Sequence, residues 1–505
     1  MRGRTGSNAL PAAVVCVLAI GLVGWIAGSV TLENPSALLW IFLTLVLSCG
    51  AIAISAARER DPLSPLVVIP VAFIILYVFR PLYILGSGSW GPTTVAEARG
   101  VTPGVIATMS HASRLVCLAL AMFVVGYLLQ RAKHPLRRDQ WREARERIRR
   151  SIGPLSFKGE AAAVMLALTL VLAVYAYGSL IAEAGGISAY VSELSVRSGF
   201  FFGRSYLTTV ALPLKVVVLS ILAVMLLRGR LEPRVRVAAG VLLLIVVTGD
   251  FLTGGRAAML TGTLLPAVLL VHYLRRPLRL PTVLGLVLVA LLMFIVVRVV
   301  TRDAVYQGAE GKGTAALIQD AVLNVPKTTV GGQDAIPYDS LLVLVEAEAR
   351  GAPLQWGSTY LPIFTYPIPR AVWPGKPLGG GNVWFTQKYF PTFYGTEKIE
   401  TSISLVGESL VNFGIAGVAL VMLAFGFGLS WLYARFVTRS GIIGAVAYAV
   451  TLGYAITLMR GDAFHSVTSL ALTLLLLWIT AAVCTGSPTR RAVLARGRSK
   501  PATMA

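Results

Sequence analysis

The run AFHSVTSLALTLLLLWITAAVC, Ala463 to Cys484, decides the class of fold: 22 residues without one Lys, Arg, Asp or Glu. At about 1.5 Å per residue such a helix crosses a hydrocarbon core of roughly 30 Å. Working back toward the N-terminus, comparable runs fall at residues 10–30, 36–56, 65–85, 109–130, 161–181, 207–227, 237–251, 256–274, 281–300, 401–434 and 442–459. The expectation is an all-α, polytopic integral membrane protein with about twelve transmembrane helices. The first run begins after Arg2 and Arg4, but it is too long for a signal-peptide core and is read as a retained helix.

Composition agrees. The chain is 56% hydrophobic and 13% charged, against about 25% charged residues in soluble domains. Its net charge of +22 could indicate nucleic acid, but the excess sits in short juxtamembrane segments, so no nucleic-acid partner is expected. Retained Lys and Arg mark the cytoplasmic side. The tail at Arg2, the Arg58 and Arg60 loop, and residues 131–158, 228–236, 275–279, 435–439 and 490–500 are all basic. They alternate with the spans in a way that puts both termini in the cytoplasm of a bacterial inner or plasma membrane. Residues 137–147 read as an amphipathic helix lying on the inner leaflet, an anchor without chemistry.

Four segments follow: residues 1–301 with nine spans, a large outer loop at 302–400, residues 401–484 with three spans, and a basic tail at 485–505. The four cysteines, Cys16, Cys49, Cys117 and Cys484, are isolated inside apolar runs and form no metal pattern. There is no phosphate-binding glycine loop, dinucleotide fingerprint or nucleophile elbow. No cofactor and no metal are expected.

Ionisable residues within spans are costly and usually face a wet cavity or a protein interior. The topology puts Arg80, Arg114, Lys215, Asp250, Arg256, Arg298, Glu408, Arg460, Asp462 and His465 in the outer half or at its rim. Snorkelling or simple ion pairing would account for several of them, while Lys215 and Glu408 lie deeper. The expectation is a polar chamber open to the outside and closed toward the cytoplasm. A transporter would instead need polar groups reaching the inner half.

The outer loop carries 13 aromatic residues in 99, enriched over the chain's 9%. Trp356, Tyr366, Trp373 and Trp384 are candidates for sugar binding, with a membrane-interface belt as the competing reading. Residues 314–325 and 338–350 have the spacing of short amphipathic helices lying across the mouth of the chamber. The proline-rich run from Tyr366 to Pro377, followed by Gly379, Gly380 and Gly381, must be a rigid loop carrying Arg370 and Lys376.

The run from Pro369 through Trp373 and Pro374 to Lys376 and Pro377 resembles the signature of the Wzy-type oligosaccharide repeat-unit polymerases, which build O-antigen and related bacterial polysaccharides. Two weaker segments agree: Leu252 to Arg256, and Ser404 to Gly414. The resemblance covers the chain from about residue 161 onward. It implies a fold related to the GT-C membrane glycosyltransferases. It also implies transfer of a growing glycan from a polyprenyl diphosphate carrier to a second lipid-linked repeat unit, with a chain-length regulator as a further potential partner. The nearest alternatives are an O-antigen-ligase-like transferase and a lipid-linked oligosaccharide flippase.

That chemistry gives the polar residues roles. Without a paired acidic motif in the first outer loop, transfer should be metal-independent, with cations stabilising the departing diphosphate. Arg256, Arg370, Lys376 and Arg460 are the first candidates, with Arg298 and Lys215 behind them, because guanidinium forks suit phosphate oxygens. The attacking hydroxyl needs a base. Glu408 is the first choice, with His465, Asp334 and Asp339 as alternatives. A purely structural Glu408, paired with Lys215 or an arginine, is the competing reading.

Overall fold

The computed structural model describes residues 35–87, 103–136, 140–150, 158–193, 211–227, 233–252, 259–275, 277–278, 282, 285–286, 319, 330, 336–368, 372–377, 379–397 and 400–484. Every regular element among them is helical. Seven helices are long and apolar enough to cross a membrane: α1 (Pro35–Arg58), α2 (Pro65–Ser87), α3 (Pro103–Lys133, apolar from Ala107), α5 (Gly159–Glu183), α14 (Ser404–Arg439), α15 (Ile442–Arg460) and α16 (Ala463–Cys484). Three shorter apolar stretches, Leu212–Leu226, Gly240–Asp250 and Leu260–Arg275, belong to α7 (Ala211–Leu227), α8 (Pro233–Leu252) and α9 (Leu260–Arg275). The chain is thus a helical, multi-pass membrane protein. Of the expected twelve spans, seven are borne by full-length apolar helices and three by shorter ones; 10–30 and most of 281–300 lie outside the described residues.

Among the described residues, helices α3 and α14 form the most extensive pairing. A Cβ on Gly126 would collide with the Leu423 carbonyl, and one on Gly426 with the Phe123 carbonyl, so each glycine lets the other helix's backbone in. Small residues at such crossings are how membrane helices gain van der Waals contact without a hydrophobic driving force. Gly414, in the left-handed region at φ 65°, kinks α14 near its start. By contrast α5 leaves Val164, Leu168, Val171, Leu172, Val174 and Tyr175 exposed, an apolar face suited to lipid.

Three expectations change. The helix read at 338–350 is α10 (Ile336–Ala349), and all ten residues from Ile336 to Val345 are buried among α2, α3 and α14. It is a core helix inserted from the loop rather than an amphipathic lid, because its apolar residues surround it. Non-lipid-spanning backbone at this depth is tolerated only when enclosed by protein. Residues 314–325 lie outside the described residues, except Gln319.

The basic block forms α4 (Gln140–Arg150), but it buries Trp141, Ala144 and Ile148 in protein. Trp141 stacks on His272 at 4.7 Å, and Arg147 donates to the Thr438 and Val437 carbonyls at the end of α14. Its apolar face therefore caps the bundle, which takes the place of the expected seat in the leaflet.

Finally, buried ionisable groups are not confined to one side. At the basic end, Asp61 accepts hydrogen bonds from Tyr433 (2.6 Å), Tyr273 (2.7 Å) and the Leu63 amide (3.0 Å), and lies 3.2 Å from His272 Nε2. His272 Nδ1 accepts from the Leu278 amide, so Nε2 carries the proton toward Asp61. Glu59 and Arg131 pair beside it at 3.1 Å. The α1–α2 connection folds into the protein, so groups that read as a solvated loop are enclosed.

Candidate functional site

At the other end, α14 enters and α15 hands over to α16. Glu408, one turn into α14, and Asp462, between α15 and α16, are both buried. A helix start leaves its first N–H groups without partners, and a carboxylate there also meets the positive end of the dipole. The two acids share this task on α16: Glu408 Oε2 accepts from the Ala463 amide at 2.7 Å and Asp462 Oδ1 from the His465 amide at 3.0 Å. Asp462 Oδ2 takes the Asn382 amide at 3.0 Å, while Glu408 Oε1 takes the Thr359 hydroxyl at 2.8 Å.

Residues of the 302–400 segment are fastened over this pair. Asn412, one turn beyond Glu408, donates to Thr359 Oγ1 (2.8 Å) and to the Glu408 carbonyl (2.7 Å), and accepts from the Gly357 amide (2.9 Å). From the short helix α12 (Gly381–Tyr389), Asn382 Oδ1 accepts the Ile403 amide at 2.9 Å. The glycine run acquires a steric reason: a Cβ on Gly380 would lie 2.8 Å from Asp462 Oδ2, and one on Gly381 2.8 Å from Glu408 Oε1. Only bare backbone fits between the two carboxylates. Trp356 (φ 49°) and Ser404 (φ 68°), non-glycine residues in the left-handed region, flank the site.

His465 is the exposed member of this cluster. Its side chain is 46% exposed, its Nδ1 lies 2.8 Å from Asp462 Oδ1, and its Nε2 lies 3.7 Å from Glu400 Oε2. Burial works against charge on Asp462, but the imidazole's charge and hydrogen bond, with the Asn382 and His465 amides, hold its carboxyl below the ordinary value. A buried, ionised acid gripping one ring nitrogen fixes the imidazole and leaves Nε2 facing the partly exposed Glu400 carboxylate, so the ring is held between two acids on a half-exposed side chain.

Beside His465, Phe464 meets Tyr366 edge to face at 5.7 Å. Lys376 Nζ donates to the Ile368 (2.8 Å) and Tyr366 (3.3 Å) carbonyls, tightening the proline-rich loop, with Tyr366 and Trp373 partly exposed on it. Trp356 is 75% exposed at the same end. Trp384, on α12, packs edge-on to Tyr389 under the Lys388 ammonium.

Other candidates are occupied elsewhere. Asp339 receives a two-pronged ion pair from Arg80, at 2.8 and 2.6 Å, with both side chains buried. Lys215 does not pair with Glu408: its ammonium donates to Asp250 at 2.7 Å, and Asp250 also takes the Thr263 hydroxyl at 2.6 Å. Arg460 closes α15 two positions before Asp462. Arg256, Arg298, Arg370 and Asp334 lie outside the described residues. Thr359, Asn382, Asn412 and Glu400 went unrecognised in sequence; the one available signal was Asn412 at helical spacing from Glu408. Among the described residues no three His, Cys, Asp or Glu side chains gather as a metal cage. No protein-family model matches the chain, and neither the curated proteins nor the solved structures include a match to it.

Proposed function

We propose that this protein is a membrane glycosyltransferase that extends polyprenyl-diphosphate-linked oligosaccharides by whole repeat units at the outer membrane face, where His465 opens. The observation that carries the reading is the half-exposed His465, oriented by buried Asp462 and set beside the loop of Tyr366, Trp373 and Lys376. The likeness of that loop to the repeat-unit polymerases supports it further.

In this reading His465 replaces Glu408 as general base. Its Nε2 takes the proton of the acceptor sugar hydroxyl as that oxygen bonds to the donor's anomeric carbon. The bond from that carbon to the lipid diphosphate oxygen breaks, and the diphosphate leaves with the electron pair. Arg370 and Arg256, with Lys376 ordering the loop, supply the positive field for the departing anion. Glu408 positions the start of α16, and so His465.

The test is purified protein given a defined polyprenyl diphosphate oligosaccharide. Products longer by integral repeats are expected, with His465→Gln lowering turnover about 100-fold or more, the scale of general-base catalysis. Full turnover in that variant overturns the base assignment. Transfer only to a non-repeat acceptor would make the protein a ligase-like enzyme.

One observation favours a second reading, a flippase for the same lipid-linked glycan: buried ionisable groups are not confined to one end of the bundle. Translocation in liposomes without new glycosidic bonds would establish it and overturn the polymerase.

A further inference from the structure

At the basic end, a cavity of about 210 Å³ opens between the ends of α1, α2 and α3. Ile54, Leu66, Leu128 and Leu136 form its apolar wall, and Arg58, Glu59 and Arg131 its polar one. Two guanidinium groups against one carboxylate leave the wall with a net positive charge. Arg131 is spent on one edge only: Nε donates to Glu59 Oε1 at 3.1 Å and Nη2 to the Tyr127 hydroxyl at 3.0 Å. Glu59 is further matched by Tyr127 at 2.8 Å and Ser55 at 3.2 Å. Nη1 of Arg131 is buried without a hydrogen-bond partner among the described residues, on a side chain only 10% exposed.

A buried guanidinium N–H without an acceptor costs on the order of 1–3 kcal/mol, and because the Arg131 side chain also lines the cavity, a small turn of its fork toward an acceptor held there would relieve that cost. The acceptor must be anionic, because Glu59 is already satisfied and a second guanidinium, that of Arg58, faces the same space. It must also carry hydrocarbon, because most of the wall is aliphatic. The rings of Tyr127, itself on the cavity wall, and Tyr433 lie 5.0 and 5.1 Å from the Arg131 guanidinium carbon and keep the charged head near the cavity. Basic pockets between membrane helices at headgroup depth are suited to lipid phosphates.

We propose that this cavity is a binding site for the phosphate headgroup of an anionic membrane lipid. The phosphate is held by the Arg131 and Arg58 guanidinium groups, and the first part of an acyl or prenyl chain lies along Ile54, Leu66 and Leu128. Bound there, the lipid ties α1 to α3 next to the Asp61 cluster, at the opposite end of the bundle from His465.

The experiment is native mass spectrometry of the full chain, delipidated in detergent and titrated separately with phosphatidylglycerol, phosphatidylcholine and inorganic phosphate. One tightly held phosphatidylglycerol per chain is expected, with phosphatidylcholine weaker. Arg58→Gln, which alters an exposed side chain, should weaken that one site about tenfold. Leu136→Trp, which fills the cavity from its apolar side, should remove it while thermal unfolding shows the protein still folded. Equal phosphatidylglycerol retention in wild type and both variants overturns the proposal, and so does uptake of inorganic phosphate with no preference for the lipid.

Discussion

At the residue scale, the site is governed by which polar groups the interior satisfies and which it leaves reachable. Glu408 has both oxygens filled by Thr359 and the Ala463 amide, whereas His465 has one nitrogen anchored by Asp462 and the other 3.7 Å from the partly exposed Glu400. The Arg80–Asp339 pair shows the structural extreme, since neither side chain has any exposure. Removing one partner of a buried ion pair strands a charge and typically costs about 3–5 kcal/mol, while replacing both with apolar groups is often neutral. Arg80→Met should therefore lower the unfolding temperature in detergent strongly, and adding Asp339→Leu should restore most of the loss. Equal stability of the single and double variants would contradict the pairing. The sequence marked Arg80 as an ionisable residue in a span and Asp339 as an alternative base, but not the two as partners, because 259 residues separate them.

At the scale of elements, glycines set how closely helices approach. Gly426 admits the α3 backbone, whereas a Cβ on Gly428, two residues on, meets nothing within 4 Å. Overpacking usually costs about 1–3 kcal/mol, and a backbone that cannot yield pushes toward the upper end. Gly426→Leu is thus expected to destabilise the bundle clearly and Gly428→Leu hardly at all, as read by thermal unfolding of the two variants side by side. Most long helices were legible as apolar runs, since length and the absence of charge are local properties. The identity of α10 as a core helix was not. Its spacing looked amphipathic, and only the neighbours α3 and α14 determine that its remaining faces are covered too.

For the whole molecule, the helices place the His465 and Asp61 clusters at opposite ends: Glu408 and Tyr433 of α14 are separated by roughly 37 Å of helix rise at about 1.5 Å per residue. Basic residues such as Arg58, Arg131, Lys133, Arg435 and Arg439 gather at the Asp61 end, and the proposed orientation, resting on the positive-inside bias, puts that end in the cytoplasm. In a cysteine-free background, Val372→Cys should react with an impermeant maleimide only from outside, and Arg439→Cys only after the membrane is opened. Labelling of both from the same side would refute this arrangement.

What the sequence by itself determined is the medium the chain lives in and most of its spanning helices. Apolar length and loop charge act locally, and lipid leaves helices few alternatives. Tyr366, Trp373, Lys376 and His465 were also legible as a polar and aromatic concentration near one end. Only the tertiary structure decided that Gly380 and Gly381 thread between two carboxylates, that Lys215 belongs to Asp250, and that His465 is the exposed group beside buried Asp462. It alone revealed the enclosed Asp61 and Arg131 groups at the far end. Each of these is a long-range pairing of polar groups withdrawn from water, and a buried group's partner depends on packing between helices distant in sequence.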